Sequence, residues 1–417
     1  MMTCCLPLET EDGVLLFHVL TRELLLLAPE EYAGAGQLPY LQEHWFFVPE
    51  STNDAELVSF VRWVLQNYKK DAKQSYTQGY TILTTTDCNA RCFYCYENGC
   101  THISMTPDTA HKVAGYIQEH CGGKKVTLTW FGGEPLVNHS VIDLICEDLR
   151  RTGVEYESRM VSNGYLFCGE VLSKAKDLWN LGVVQISLDG TEEIYNYSKD
   201  YIYQEGSAYQ VVLSNMEAIL DAGIAVKVRL NISPINTKDL LALVEELAHR
   251  FSGKENLKIY THPLFDFSPN ANEKESRKQL FAAQAELEEA ILAAGLSTLT
   301  ERPLRRCMKL RHCMADNGHS VLIAPDGHIG LCEHHIQDEF IGHVDRPEVD
   351  QEVVRRWQER GEEVPECKTC FYYPECTHLK GCFGSSDCSE HKRKMVRQRL
   401  EHSMLYELRR WKAQNEE

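Results

Sequence analysis

The sequence Cys88-Asn-Ala-Arg-Cys92-Phe-Tyr-Cys95 decides the fold class that we expect for this chain. Its three cysteines lie four and three residues apart, directly after the strand-like run at residues 80–86. Three thiolates can hold three irons of a cubic four-iron cluster, whereas most iron–sulfur sites are closed by four cysteines. The fourth iron is then open to a small molecule, which indicates chemistry rather than simple electron storage.

The same spacing also suits three cysteines on one face of a helix, because residues i, i+4 and i+7 fall together there. Asp87 and Asn89 argue against a helix, since both residue types favour loops and turns. We therefore expect the three cysteines to lie in a loop that follows a strand.

The CxxxCxxC spacing, with the aromatic Tyr94 just before the last cysteine, resembles the signature of the radical S-adenosylmethionine (radical SAM) enzymes. The resemblance implies that Cys88, Cys92 and Cys95 hold a [4Fe-4S] cluster whose open iron binds S-adenosylmethionine. It also implies cleavage of that cofactor to a 5′-deoxyadenosyl radical, which takes a hydrogen atom from the substrate. The protein's task is then to orient the radical carbon and exclude water, because the cofactor carries the hard step.

A second motif, Trp130-Phe-Gly132-Gly133-Glu134-Pro135, closes the second predicted strand. Two glycines allow a backbone to approach a ligand closely, and a carboxylate can meet an ammonium group. Alone, these residues are also compatible with a tight turn. They resemble the GGEP motif of the radical SAM family, which implies that Gly132, Gly133 and Glu134 face the methionine amino group of the cofactor.

Polar residues also follow the third, fourth and fifth predicted strands. Similar positions in the family contact the ribose and the methionine carboxylate, which implies cofactor-binding roles for Ser162, Asn163, Ser187, Asp189 and Arg229. The resemblance implies a cofactor-binding role for Tyr94 of the cysteine motif as well. Arg229 is the best candidate, since a guanidinium binds a carboxylate through two parallel hydrogen bonds. The alternative for each residue is a turn or a hydrogen bond in the core.

Eight of the seventeen cysteines fall between Cys307 and Cys388, in a pattern that resembles the SPASM domain of peptide-modifying radical SAM enzymes. The resemblance implies two auxiliary [4Fe-4S] clusters, for a total of three. The first would be held by Cys307, Cys313, Cys332 and Cys382, and the second by Cys367, Cys370, Cys376 and Cys388. One spacing departs from the pattern, because five residues rather than three separate Cys376 from Cys382.

Zinc is the alternative for this cysteine-rich region. Four thiolates suffice for a structural zinc site, and the candidates are Cys367, Cys370, Cys376 and Cys382. That interpretation would leave Cys307, Cys313 and Cys332 without a role, so iron–sulfur clusters are favoured.

Strand-like and helix-like patterns alternate from residue 80 onward, which predicts an α/β fold with a parallel sheet. The predicted strands are residues 80–86, 125–131, 156–161, 183–188, 224–231 and 257–262. Helical patterns between and after them cover residues 106–120, 138–151, 169–181, 210–222, 237–251 and 272–294. Six such units cannot close an eight-stranded barrel. We therefore expect a partial (β/α)6 TIM-type barrel with ligands at the carboxyl ends of its strands.

Three domains are expected. Residues 1–78 read as a small α+β module, with a hairpin at residues 13–19 and 23–28 and a helix at 54–68. Residues 79–300 would form the barrel, and residues 301–417 the SPASM domain with a terminal helix at 391–413. Several peptide-modifying relatives carry a similar small module that grips the leader of a precursor peptide by adding a strand. The alternative is a module that merely caps the barrel.

The composition excludes some partners. A formal net charge of −18 argues against nucleic acid, because phosphate binding needs clustered Lys and Arg. Residues 1–8 do not read as a signal peptide, and the apolar run at residues 24–28 is too short to span a bilayer. We therefore expect a cytoplasmic protein with no membrane partner, in which clustered thiols indicate metal binding rather than disulfides.

The functional hypothesis is a peptide (RiPP) maturase that installs an oxidative cross-link, thioether or carbon–carbon, in a ribosomally made peptide. Its partners would be a precursor peptide and an external electron donor of the flavodoxin or ferredoxin type. One alternative is an anaerobic sulfatase-maturing enzyme that oxidises a Cys or Ser to formylglycine. Another, from a different class, is a metal-stabilised binding protein without catalysis, in which the Cys88 triad is structural.

Overall fold

The structure is a computed structural model. It describes residues 1–71, 76–203, 206–264, 273–296, 303–308, 313–336, 338–346, 348–359, 361–376, 382, 388 and 390–415.

The N-terminal segment forms a three-stranded antiparallel sheet followed by three helices. The strands are β1 (Cys5–Thr10), β2 (Gly13–His18) and β3 (Leu24–Leu27), in that order across the sheet. The helices are α1 (Pro29–Ala33), α2 (Pro39–Glu43) and α3 (Asp54–Asp71). The expected hairpin corresponds to β2 and β3, whereas β1 was not predicted.

The core of this segment is shared with C-terminal residues. Met404, Leu408 and Tyr373 belong to the same buried cluster as Phe17 and Phe46. Polar contacts join the same parts of the chain, because Arg22 forms a buried ion pair with Glu375 at 3.0 Å, and the guanidinium of Arg62 lies 4.4 Å from the ring centre of Tyr373. These segments form one compact unit of residues 1–73, 300–316 and 356–417, here called unit 1.

A nine-stranded sheet organises the second compact unit, unit 2, which comprises residues 74–299 and 317–355. Six of its strands are parallel neighbours in chain order: β4 (Gly79–Leu83), β5 (Val126–Phe131), β6 (Tyr156–Ser162), β7 (Leu181–Leu188), β8 (Ala225–Ile232) and β9 (Leu257–Pro263). The helices between and after them are α4 (Pro107–His120), α5 (His139–Arg151), α6 (Glu170–Asp177), α7 (Glu192–Lys199), α8 (Ala208–Asp221), α9 (Thr237–Arg250) and α10 (Glu273–Ala293). The predicted α/β fold is confirmed.

Alternating burial explains why these segments form strands and which face can carry polar groups. In β8, Val226, Val228 and Leu230 are fully buried, whereas the residues between them are partly exposed. Successive side chains of a strand point to opposite faces, so one face of β8 packs into the core and the other is available to ligands. Thr261 of β9 lies on the core face and donates to Glu288 of α10 at 2.9 Å.

Three strands of the sheet were not predicted. They come after α11 (Met314–Asn317) and are β10 (Ser320–Ile323), β11 (His328–Gly330) and β12 (Phe340–His343). Strand β10 pairs in parallel with β4, and β11 and β12 continue the sheet in antiparallel orientation. Two further helices follow, α12 (Gln351–Gln358) and α13 (Glu390–Asn415). The two compact units therefore group the chain differently from three consecutive domains, and the functional division into domains stays a prediction.

Across the described residues, the structure contains no helix that is both long and apolar enough to cross a membrane.

Candidate active site

The cysteine loop, residues 88–95, lies after the carboxyl end of β4 and is held by a second segment. That segment, residues 199–202, follows α7 and is here called the brace. The amide of Arg91 donates to the carbonyl of Lys199 at 2.9 Å, and the amide of Ile202 donates to that of Asn89 at 3.0 Å. Ala90 and Tyr201 form an antiparallel bridge between these two bonds. Backbone pairing to the brace therefore fixes the position of the cysteine loop.

The three thiols of this loop are half-buried and lie within electrostatic range of one another. Burial raises the pKa of Cys88 to about 12, and the charges of Glu134, Cys92 and Cys95 add to the rise. Burial also raises the pKa of Cys95, and Cys92 contributes again. Thiols of this kind need a strong positive charge nearby before they ionise.

A single metal ion does not explain the spacing of these thiols. Among the described residues, only Cys4, Cys5 and His18 bring three possible ligand atoms within 4.8 Å of one another. The sulfurs of the cysteine loop are spread more widely, which fits a polynuclear iron–sulfur cluster better than one ion. That Cys88, Cys92 and Cys95 ligate such a cluster stays a prediction.

The two glycines of the second motif allow one part of the backbone to pack against another. A Cβ atom on Gly132 would lie 2.2 Å from the carbonyl oxygen of Thr85, and one on Gly133 would lie 2.3 Å from that of Asp87. The amides of Gly133 and Glu134 donate to these same carbonyls at 3.0 and 2.9 Å. The motif is thus docked on the entrance to the cysteine loop, a role for the glycines that the sequence analysis did not anticipate.

Replacing Gly132 with alanine is expected to destabilise the protein by about 3 kcal/mol, because the new Cβ would overlap a backbone oxygen that has little freedom to move. Gly132 also has a φ of 131°, which disfavours any side chain. Denaturant unfolding followed by circular dichroism measures the change. The control is Gly115→Ala in α4, where no atom lies within 4 Å of the new Cβ. Equal stability of the two variants would contradict the packing argument.

Glu134 is fully buried and held by three hydrogen bonds. Its oxygens accept from the amide of Leu136 at 3.1 Å, the hydroxyl of Ser162 at 2.9 Å and the amide of Asn163 at 2.8 Å. Burial nevertheless raises the pKa of Glu134 to about 7. A neighbouring cation would favour the ionised form, so the site suits an ammonium group such as that of S-adenosylmethionine.

A second polar network joins the cysteine loop to β7 and β8. The hydroxyl of Tyr94 donates to Asp189 at 2.9 Å and accepts from the ammonium of Lys199 at 2.8 Å. Lys199 also donates to the hydroxyl of Ser187 at 2.7 Å and pairs with Asp189 at 3.0 Å. The side-chain amide of Asn231 donates to Asp189 at 3.0 Å. Ser187 and Asp189 are therefore brought together with Tyr94 in one hydrogen-bonded network.

Lys199 was missed by the sequence analysis, and Asn231 was not among the predicted cofactor-binding residues. Both are buried, and Lys199 is the only lysine that the structure places in this network. Neither belongs to a recognisable motif. A strand-end asparagine beside Arg229 and a lysine in the tyrosine-rich stretch after Asp189 were the only signals.

The remaining predicted cofactor residues divide into two groups. Asn163 donates from its side chain to Asn89 of the cysteine loop at 2.7 Å. Arg229 instead lies outside both networks and donates to Nδ1 of His262 at 2.9 Å. The cofactor-binding roles of the predicted residues stay predictions.

The structure describes the surroundings of some of the C-terminal cysteines. Cys367 and Cys370 each have their pKa raised by burial, with further contributions from the charges of Cys376 and Cys388. The four cysteines predicted for the second auxiliary cluster are therefore neighbours within unit 1. Both their grouping in one cluster and the zinc alternative, which requires Cys382 in place of Cys388, stay predictions.

The four cysteines predicted for the first auxiliary cluster are divided between the units. Cys307, Cys313 and Cys382 belong to unit 1, and Cys332 belongs to unit 2. Cys307 is exposed and the other three are partly buried. Their ligand roles stay a prediction.

Cys4, Cys5 and His18 cluster in the core of unit 1. Nδ1 of His18 accepts from the amides of Leu20 and Thr21 at 3.2 and 3.3 Å, and Nε2 lies 3.1 Å from the carbonyl of Trp45. Both ring nitrogens thus have backbone partners, and burial lowers the pKa of the imidazole. A metal ion here would have to break one of these bonds, so the cluster is structural.

Comparison with known proteins agrees with this geometry. Residues 82–247 match the sequence model of the Radical SAM superfamily. GTP 3′,8-cyclase of Rhodopirellula baltica is 34% identical over 119 residues, which are 27% of this chain and 31% of that protein. The probable GTP 3′,8-cyclase of Methanocaldococcus jannaschii is 27% identical over 268 residues, which are 60% of this chain and 83% of that protein. The chain thus spans about a third of the length of the first relative, because the match covers 31% of that protein.

Solved structures with the same fold cover more of the chain. Native anSMEcpe with bound AdoMet superposes with a TM-score of 0.59 at 14% identity, over 80% of this chain and 98% of that one. Streptococcus suis SuiB bound to the precursor peptide SuiA superposes with a TM-score of 0.56 at 10% identity, over 92% of this chain and 95% of that one. Residues 82–247 therefore resemble the Radical SAM superfamily, and the chain shares its α/β fold with anSMEcpe and SuiB.

Proposed function

We propose that this radical SAM protein is a maturase that installs an oxidative cross-link in a ribosomally made peptide. The observation that carries the proposal is the second group of C-terminal cysteines. Four neighbouring thiols in unit 1, at Cys367, Cys370, Cys376 and Cys388, suit a fully ligated auxiliary cluster. Such a cluster can accept the electron left on a substrate after a hydrogen atom is removed, as a net oxidation requires.

Two features support a peptide as the substrate. The fold is shared with SuiB bound to the precursor peptide SuiA and with anSMEcpe bound to the Kp18Cys peptide. In addition, the described part of the chain pairs β3 only with β2, so its other edge can accept a further strand. Leu26 on this strand is 38% exposed. These features support leader-peptide recognition by the N-terminal segment.

The residues of the site have defined tasks in this proposal. When bound, the iron–sulfur cluster and S-adenosylmethionine supply the radical that removes hydrogen from the substrate. Glu134 would hold the cofactor's ammonium, while Ser187, Asp189 and Tyr94 would contact its ribose and carboxylate. Lys199 balances the buried charge of Asp189 and keeps this network neutral at the cofactor's side.

The test is an anaerobic reaction of the reconstituted protein with a reductant, S-adenosylmethionine and the short peptide encoded beside its gene. The proposal expects a peptide mass lower by two hydrogens per event, with fragmentation locating the new bond. A sulfatase-motif peptide serves as the second substrate. Formation of an aldehyde on that peptide would favour the sulfatase-maturing alternative, and 5′-deoxyadenosine without any peptide change would reject a peptide substrate.

Exposed aromatic side chains on α3 give a sharper test of leader binding than a deletion does. Phe60 and Trp63 are 60% and 61% exposed and stack with ring centres 6.3 Å apart. Removing residues 1–75 would instead break the core shared with α13. We expect Phe60→Ser combined with Trp63→Ser to weaken binding of a labelled peptide about tenfold or more in fluorescence anisotropy, because exposed aromatic residues are typical anchors. Trp411→Ser, at a 56% exposed tryptophan on α13, is the control. Equal affinity of both variants would reject this surface.

A nucleotide is the second candidate substrate, because the curated relatives are GTP 3′,8-cyclases that match up to 60% of this chain. The same anaerobic reaction with GTP in place of peptide tests it. A new nucleotide product detected by mass spectrometry would favour this candidate over the peptide maturase.

A further inference from the structure

Arg229 lies on the ligand-accessible face of β8, next to the polar network of the cofactor site. Its register partners are Ser187 on β7 and Tyr260 on β9. Asn231, two residues further along the same face, donates to Tyr94 at 3.2 Å and to Asp189 at 3.0 Å. Two residues of a strand span about 6.6 Å, so Arg229 borders this network without belonging to it.

The guanidinium of Arg229 uses only part of its hydrogen-bonding capacity within the described residues. Its Nη2 donates to Nδ1 of His262, while its buried Nε has no hydrogen-bond partner among the described residues. Within the described residues no carboxylate forms an ion pair with it, although the chain has a net charge of −18. A guanidinium offers five donors, and leaving them unpaired away from water is costly. This arrangement favours an anionic ligand that approaches from outside the chain.

A hydrogen bond between the two strands that flank β8 lies on one side of the Arg229 guanidinium, and aromatic side chains lie on another. The hydroxyl of Tyr260 donates to Gln185 at 2.7 Å, and this bond crosses β8 on the side of Arg229 nearer the amino end of the strand. Arg229 lies close enough to His334 to act on its imidazole electrostatically. The ring of His334 lies 4.5 Å from that of Tyr96, which follows Cys95. Arg229 therefore faces the region beside the cysteine loop.

The network predicted to meet the cofactor is already neutral without Arg229, because Lys199 pairs with the buried carboxylate of Asp189. Lys199 contacts Ser187, Asp189 and Tyr94, the residues predicted to meet the ribose and carboxylate of S-adenosylmethionine. We propose that Arg229 binds a carboxylate of the substrate instead, either an acidic side chain or the C-terminus of the peptide. This inference rests on the proposed peptide substrate and replaces the cofactor role that the sequence implied for Arg229.

Chemical labelling tests the inference without turnover. Phenylglyoxal modifies accessible guanidinium groups, and mass spectrometry of a digest gives the labelling rate at each arginine. Arg159, 55% exposed in its side chain and in register with Val183 and Ala225 on the same face, is the internal control. The ligands are S-adenosylmethionine, Ac-Ala-Glu-Ala-NH2, Ac-Ala-Gln-Ala-NH2 and Ac-Ala-Gln-Ala with a free C-terminus.

We expect the Glu peptide to slow labelling of Arg229 several-fold while the Gln amide has no effect and labelling of Arg159 is unchanged. Protection by the Gln peptide with a free C-terminus would assign the terminal carboxylate as a source. Protection by S-adenosylmethionine alone would return Arg229 to the cofactor and overturn the inference. Equal protection by the Glu and Gln amides, or by neither carboxylate peptide, would also overturn it.

A variant pair extends the test to turnover. With the peptide that the protein modifies, Arg229→Gln is expected to raise KM about 30-fold or more, because it truncates one partner of a hydrogen-bonded charge pair. Lys258→Gln, an exposed cation on the same face of β9, should leave KM unchanged. An unchanged KM in Arg229→Gln rejects this inference alone. Failure of the wild type to modify any peptide rejects the proposed function, while the labelling result still decides whether Arg229 binds a carboxylate.

Discussion

Replacing Cys88, Cys92 and Cys95 with alanine is expected to reduce formation of 5′-deoxyadenosine below detection. The three thiols are neighbours in the loop that the brace holds, and no other group of cysteines lies in the described part of this loop. Without these ligands the cluster that supplies the cleaving electron has no anchor. Iron content and chromatography of the cofactor products measure the effect. The fold should survive, because the thiols are only half-buried and replacing them leaves no large cavity.

The matched control is Cys168→Ala, which removes an exposed thiol outside the cysteine loop. Its iron content and cofactor cleavage should equal those of the wild type. If cofactor cleavage survives in the triple variant, the triad is structural, and the non-catalytic interpretation of this protein gains its main support.

Replacing Lys199 with methionine is expected to lower the free energy of unfolding by about 3 to 5 kcal/mol, the usual cost of breaking a buried ion pair from one side. The side chains of Lys199 and Asp189 are only 3% and 2% exposed, so solvent cannot compensate for the lost partner. The carboxylate of Asp189 would remain buried with only neutral donors. Urea unfolding followed by circular dichroism gives the change, and S-adenosylmethionine affinity should fall with it.

Two further variants separate charge from packing. Lys254→Met removes a lysine that pairs with Asp221 at the surface, where the side chains are 35% and 64% exposed, and should cost less than about 1 kcal/mol. Adding Asp189→Asn to Lys199→Met should recover part of the lost stability, because the unpaired charge is then gone. If the double variant is no more stable than Lys199→Met, the methylene packing of Lys199 matters more than its ammonium.

Sequence patterns predicted the repeating part of the fold well because that part depends on local periodicity. The predicted strand at residues 224–231 differs by one residue at each end from β8, and the predicted helix at residues 237–251 differs by one residue from α9. Strands β10 to β12 escaped prediction, since each has only three or four residues. The strand conformation of β10 depends on pairing with β4, and no local pattern reports a partner so distant in the chain.

Residues of the candidate site that belong to a sequence motif could be identified in advance. Residues that only the fold brings into contact could not. The cysteine spacing and the glycine pair pointed to residues that the structure places side by side. Gly132 and Gly133 were expected to let the backbone approach a ligand closely. The structure shows that they also let it approach the carbonyls of Thr85 and Asp87. Lys199 lies far along the chain from Tyr94, and only the end of α7 brings the two together. Arg229 was predicted to bind the cofactor, but only a structure could show that no carboxylate of the described residues forms an ion pair with it.

The division of the chain into segments also affects its synthesis. The edge of β4 that pairs with β10 stays open until residues 320–323 leave the ribosome, roughly 12 to 48 seconds later at ordinary translation rates. The core of unit 1 forms later still, because the buried cluster around Phe17 and Phe46 is completed by Met404 and Leu408, which are translated after residues 320–323. Phe17 and Phe46 are therefore translated long before the residues that complete their core, and truncated nascent chains expose both an unpaired strand edge and an unfilled core to chaperones.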